Sequence, residues 1–242
     1  MSLGIFNGFI GYNYMNRNCN FTGTDTEELY NENLKLQPAD WYYRTCNMSY
    51  VRNSIGHRCR EINDIDLDNY ILFIGCSHTE GVGLSLEDSF TYKLANELKC
   101  DYYNLAVGGG GVDTMIHNLN IWLHTVNKKP KYIICQWPDP TRYVSYSNHT
   151  FDFHGIWEKH PNVLNFIIAG DMNNFFNGRI KLAKVLLEKL NNVITVSVYP
   201  NMANIHFNQY DVARDGMHHG RRSNSMLTRL LLEKIHQTKK IV

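Results

Sequence analysis

The 242-residue sequence has no C-x-x-C pair, no long apolar run and no excess of charge of either sign. Its six cysteines (Cys19, Cys46, Cys59, Cys76, Cys100, Cys135) are scattered, so neither a structural zinc site nor a disulfide framework is expected, and free thiols in a reducing compartment are. No stretch reaches the roughly 20 apolar residues of a membrane helix. The first residues also lack the basic-then-apolar pattern of a secretion signal, so a cytoplasmic protein with no membrane partner is expected. Lys plus Arg number 24 against 23 Asp plus Glu, and the resulting net charge of +1 leaves no electrostatic footprint for nucleic acid. With 43% hydrophobic and 19% charged residues, disordered, coiled-coil and collagen-like chains are excluded as well.

What is present from about residue 69 onward is an alternation of short apolar, β-rich runs with longer helix-period segments. Strands are predicted at 70–75, 101–106, 131–136 and 193–198, and helices at 86–98, 114–126, 179–190 and 224–235. This pattern predicts a three-layer α/β/α fold with a mostly parallel sheet of four or five strands. Residues 1–65, rich in Asn, Tyr and Arg with no sustained period, are expected to wrap irregularly on a domain spanning 66–242. Residues 138–175 form an insertion too long for an ordinary loop. It holds Tyr143, Tyr146, Phe151, Phe153, Trp157 and Phe166, and suits a lid or binding loop.

Three stretches carry the chemistry. Gly75-Cys-Ser77-His-Thr79-Glu-Gly81 lies where the first predicted strand ends, the place where open α/β sheets collect ligands; the alternative is that Ser77 and Thr79 only cap a helix. Asn104-Leu-Ala-Val-Gly-Gly109-Gly-Gly111 ends the second strand, and its glycines either leave N–H groups free to donate to an anion or serve as a flexible turn. A nucleotide cofactor is not expected, because neither G-x-G-x-x-G nor a P-loop ending occurs. In Asp215-Gly-Met-His218-His219, an Asp three residues before a His can hold one imidazole nitrogen and leave the other to take a proton, unless both are plain surface residues.

Together the three stretches resemble the SGNH or GDSL hydrolase superfamily over residues 70–236. The first block, G-D-S-x-T-x-G, is matched by Gly75, Ser77, Thr79 and Gly81; the second by Asn104 and Gly109; the last, D-x-x-H, by Asp215 and His218. The segment Asn53-Ser-Ile-Gly-His57-Arg58-Cys-Arg-Glu61 is similar to a lead-in found before the first block in some members, and reads equally as a surface turn. The resemblance implies a flavodoxin-like fold and a serine esterase without cofactor. In it Ser77 is the nucleophile, His218 the base, Asp215 its orienting partner, and the N–H groups of Ser77 and Gly109 the oxyanion donors. His78 and His219 are then bystanders, and no metal is required.

Two departures stand out. Cys76 replaces the Asp of the first block, a supporting position, and the attacking position remains Ser77. The third block, G-x-N-D in the family, reads Gln136-Trp137-Pro138-Asp139-Pro140-Thr141-Arg142, so the Asn that helps bind the oxyanion is missing. Losing one such donor typically costs about 2.7–4 kcal/mol of transition-state stabilisation. Gln136, Thr141, Arg142 and the Trp137 N–H are the candidate replacements. The expected substrate is a small-molecule or carbohydrate ester, such as an O-acetyl group on a sugar. The alternatives are an O-acyltransferase or a carbohydrate-binding or structural protein that keeps the fold without turnover.

Overall fold

The apolar runs read as strands form one parallel sheet in a computed structural model, which describes residues 3–13, 18–147, 150–155 and 170–239. At the N-terminal end, β1 (Leu3–Phe6) and β2 (Phe9–Tyr12) make an antiparallel hairpin. Then β3 (Asn18–Cys19), helix α1 (Glu27–Leu36) and β4 (Tyr50–Val51) follow, with β3 and β4 paired antiparallel. The main domain runs through β5 (Tyr70–Ile74), the single turn α2 (Ser77–Glu80), α3 (Phe90–Glu97), β6 (Asp101–Asn104), α4 (Val112–Thr125) and β7 (Tyr132–Gln136). It continues with β8 (Tyr143–Ser147), β9 (Thr150–His154), α5 (Gly170–Glu188), β10 (Val193–Ser197), β11 (Ile205–His206) and α6 (Arg221–Lys239).

The sheet has the strand order β11-β10-β7-β5-β6, and all its pairings are parallel. Every residue of β5 is buried, as a strand covered on both faces must be. Tyr70, Leu72 and Ile74 face one side and pack with Met115, Leu119 and Trp122 of α4 and Ile180, Ala183 and Leu187 of α5. Ile71 and Phe73 face the other and pack with Phe90 and Leu94 of α3 and Leu227, Leu231 and Ile235 of α6. The three- and four-residue spacing of these apolar side chains puts them on one stripe of each helix, and each large one that is fully buried contributes roughly 1.5–3 kcal/mol. Helices therefore cover both faces of the sheet.

The direction in which successive strands are added to the sheet reverses at β5. The crossover from β5 to β6 passes under one face through α3, and the next, from β6 to β7, returns over the other through α4. The loops after β5 and β6 thus splay apart at the carboxyl ends of the strands, which opens a crevice there.

Three expectations are corrected. The helix predicted at 86–98 is a 3₁₀ turn, Leu86–Asp88, followed by α3, because Ser89 breaks the run and caps α3 by accepting from the Tyr92 N–H at 3.3 Å. The helix predicted at 179–190 begins as early as Gly170, so the segment 138–175 is partly helix and partly the β8–β9 hairpin. Trp157 and Phe166 lie outside the described residues. Residues 3–65 hold the two antiparallel pairs and α1, whose period is hidden by a mostly polar sequence and whose N-terminus is capped by Thr26.

The segment 53–61 is held by a buried relay. Asn53 Nδ2 donates to Tyr103 Oη at 2.9 Å, His57 Nδ1 lies 3.1 Å from the same oxygen, and His57 Nε2 donates to the Ile10 carbonyl at 3.0 Å. Because Nε2 carries the proton, Nδ1 accepts from Tyr103 and the ring is neutral. Burial pushes His57 down to about 4. An unfolded ring takes its proton near pH 6.5, so between those values acid favours unfolding, by about 3 kcal/mol once pH 4 is reached. Urea unfolding at pH 7 and pH 4 should therefore show a smaller acid loss in His57→Asn than in the wild type, although the variant starts about 1–3 kcal/mol less stable. An equal acid loss in both proteins would contradict the neutral buried ring.

Candidate active site

The strand β5 ends at Ile74, and the chain enters α2 through Gly75 and Cys76, which is 2% exposed and serves as the extended residue before the helix. Ser77 is the first helical residue, so its N–H has no intrahelical acceptor, and no other described residue accepts from it. Its side chain opens into a cavity of about 340 Å³ at the crevice between the strand ends. Gly108, Gly109, Arg142 and His218 line that cavity from the main domain, with Phe153 from β9. Leu3, Tyr12, Gly23 and Thr24 line it from the N-terminal segment.

Asp215 and His218 sit in the loop between β11 and α6. One carboxylate oxygen of Asp215 accepts the backbone N–H groups of Met217 and His218, both at 3.0 Å, which curls the loop. The other meets His218 Nδ1 at 2.5 Å and accepts from the Thr24 hydroxyl at 2.8 Å. Burial alone would push the Asp215 carboxyl up, but the hydrogen bond and charge of His218 and the two N–H donors outweigh it and bring it down to about 2. The carboxylate is thus ionised and can only accept, which assigns the proton to His218 Nδ1 and leaves Nε2 as the acceptor. Among the described residues, Ser77 and His218 share the cavity but no hydrogen bond joins them. A ligand-free site commonly shows that looser geometry.

Two further histidines lie against His218. The His78 ring centroid lies 4.6 Å from that of His218 and 4.1 Å from that of His219. Burial and then the His218 charge bring His219 down to about 4. Burial, then His219, His218 and Arg142, hold His78 well below the ordinary imidazole range. Both are therefore neutral neighbours at neutral pH. Among the described residues, no group of three or more His, Cys, Asp or Glu is arranged to hold a metal ion.

The loop after β6 supplies a second face. Asn104 does not reach the cavity; its amide donates to the Thr79 carbonyl at 2.9 Å and its oxygen accepts the Ala106 N–H, which locks this loop to α2. The Gly110 N–H is used by Val107 and the Gly108 N–H by Glu80 Oε2 at 2.9 Å, whereas that of Gly109 meets no described acceptor. Gly109 has φ of +80°, and Phe153 packs against it, so a side chain there would be both strained and crowded.

Sequence reasoning missed Thr24, Tyr12, Arg52 and Glu80. Glu80 was visible inside the first block but had no assigned partner. The other three come from the segment without period, and nothing in their spacing marks them. A larger groove of about 700 Å³, lined by Ser49, Cys59, Tyr92 and Cys100 among others, touches none of Ser77, Asp215 or His218. Burial pushes the Cys59 thiol there up to about 12, which keeps it from acting as a thiolate. No helix among the described residues is long and apolar enough to cross a membrane.

No family model and no curated protein matches the sequence. Similar folds among solved structures include a carbohydrate esterase with divergent catalytic and non-catalytic binding functions, at 15% identity and TM-score 0.45 over 70% of this chain. The chain spans 65% of that protein's length. A psychrotrophic esterase from Pseudoalteromonas sp. is similar at 10% identity and TM-score 0.46, over 72% of this chain and 100% of the other. A member of the lipolytic G-D-S-L family from Veillonella parvula shows 15% identity and TM-score 0.35, over 68% and 73%. At this distance function is read from the side chains alone.

The Asp215–His218 contact is directly measurable. A carbon-detected NMR titration should place the Asp215 midpoint near 2 in the wild type and at least about one pH unit higher in His218→Ala, where only burial and the backbone donors remain. An unchanged midpoint would separate the two residues.

Proposed function

We propose that this protein hydrolyses a carboxylic ester through an acyl-enzyme on Ser77. The observation that carries this reading is the short Asp215–His218 hydrogen bond, whose imidazole opens into the same cavity as the Ser77 side chain and Gly109. In the first half-reaction His218 Nε2 takes the hydroxyl proton as Ser77 Oγ bonds to the carbonyl carbon. The carbonyl electron pair moves to oxygen, and the N–H groups of Ser77 and Gly109 receive that oxyanion. Collapse breaks the ester C–O bond, and the alcohol leaves with the proton from His218. Water repeats the sequence to release the acid and restore Ser77. Ionised Asp215 stabilises the imidazolium formed in each half and fixes its tautomer.

The substrate proposed is an acyl ester of a carbohydrate, with an acetyl group the simplest case. Tyr12 and Phe153 contribute aromatic surface to the cavity, which suits a sugar ring, and the cavity's three glycines suit a small acyl group.

Hydrolysis of p-nitrophenyl acetate should fall at least about 10³-fold in Ser77→Ala, and about 10²- to 10⁴-fold in Asp215→Asn, which keeps the shape but loses the charge. A fluorophosphonate should label the wild type and spare Ser77→Ala, and acetylated oligosaccharides should release acetate. Equal rates in wild type and Ser77→Ala would end the catalytic reading and favour a binding protein that keeps the fold.

A further inference from the structure

The chain after β7 lacks the neutral side-chain donor expected there, and the structure separates the four candidates to replace it. Gln136 is 3% exposed, with its oxygen engaged by the Thr79 hydroxyl at 2.8 Å. Trp137 donates its backbone N–H to Val196 and buries its ring in the core beneath the sheet. Thr141 turns its hydroxyl to Asp139 at 2.5 Å. Of the four, Arg142 is the one that lines the cavity with Ser77, Gly109 and His218.

Its backbone is firmly placed. The Arg142 N–H donates to the Asp139 carbonyl at 3.2 Å, and Asp139 in turn accepts the Thr141 N–H at 2.9 Å and the Tyr199 hydroxyl at 2.5 Å. The Arg142 carbonyl packs over Gly111, where a side chain would collide with it, and accepts from Arg179 Nη1 at 3.4 Å. The guanidinium also acts electrostatically on His78, the residue next to the nucleophile.

On the reading of Ser77 as an acyl-forming nucleophile, we infer that Arg142 is a catalytic residue whose guanidinium donates to the developing oxyanion, replacing a neutral amide with a permanent cation. A guanidinium has five N–H donors, so it can hold a contact within the protein and a ligand at the same time. Its charge does not titrate in the working range, and its hydrogen bonds to an anionic oxygen are roughly twice as strong as neutral ones. The oxyanion exists only in the tetrahedral state, so the contribution falls on kcat rather than on KM.

The test uses the full chain, with Arg142→Ala and Arg142→Lys assayed on p-nitrophenyl acetate, a neutral ester, beside wild type and Ser77→Ala. Arg142→Ala should lose about 10²- to 10³-fold in kcat with KM within about threefold, and Arg142→Lys should keep an intermediate rate. Guanidinium chloride at tens of millimolar, well below denaturing levels, should raise the Arg142→Ala rate and leave wild type and Ser77→Ala unchanged. Thermal melting reports whether each variant is folded, and rescue within one folded variant excludes a merely structural loss. A kcat within about threefold of wild type overturns the inference while leaving the serine mechanism intact. So does a loss confined to KM, or one seen only with an ester bearing a carboxylate, which would make Arg142 an anion anchor. If the wild type itself has no Ser77-dependent rate, the serine mechanism and this inference fall together.

Discussion

The arrangement around Ser77 depends on one buried ion pair. Arg52 and Glu80 meet at 2.6 Å with side chains 1% and 0% exposed. Neither charge could stand alone at that depth, since leaving one partner of a buried pair unmatched typically costs 3–5 kcal/mol. Glu80 belongs to the same helical turn as Ser77, and its second oxygen takes the Gly108 N–H and the Tyr12 hydroxyl. One carboxylate thereby fixes the Ser77 turn, the glycine loop and the N-terminal hairpin against each other. It also spends the Gly108 N–H, so that of the neighbouring Gly109 is the donor left facing the cavity.

A second buried pair does the same for the opposite wall. Arg214, beside Asp215, meets Asp25 at 2.7 Å and lies over the Phe21 ring, while its backbone N–H donates to the Gly83 carbonyl. Asp25 also accepts from Tyr50, whose oxygen accepts the Gly83 N–H. Between them runs Arg58, fully buried, whose guanidinium donates to the carbonyls of Ser49, Gly81 and Leu84. The loops of Ser77 and of Asp215 and His218 are each clamped to the N-terminal segment by arginine, and Thr24 from that segment touches Asp215 itself. Shape in the cavity is consequently set by polar contacts between distant parts of the chain.

This construction explains why so much charge is buried in a protein of such ordinary composition. The sheet and its helices are held by apolar packing, which tolerates small shifts. The crevice at the carboxyl ends of the strands is built from irregular backbone, whose N–H and carbonyl groups need partners once water is excluded. Arginine, with several donors on one rigid plane, satisfies three or four carbonyls at once and suits that task better than any apolar residue.

The sequence alone determined the layered architecture, because β5, β7 and β10 are apolar runs of the length a buried strand needs and the helices repeat their apolar residues every three or four positions. It also singled out Ser77, Gly109, Asp215 and His218 as candidates from residue types at short local spacings, and the fold brings Ser77, Gly109 and His218 to one cavity with Asp215 against His218. It could not show that residues 3–65 close the cavity, that Glu80 and Arg52 meet, or that Arg142 rather than Gln136, Trp137 or Thr141 reaches the crevice. Those outcomes depend on contacts between residues 28 to 191 positions apart, such as Arg52–Glu80 and Thr24–Asp215. Periodicity describes a segment's own geometry and is silent about such pairs, so only the folded chain, by excluding water from each buried charge, selects its partner.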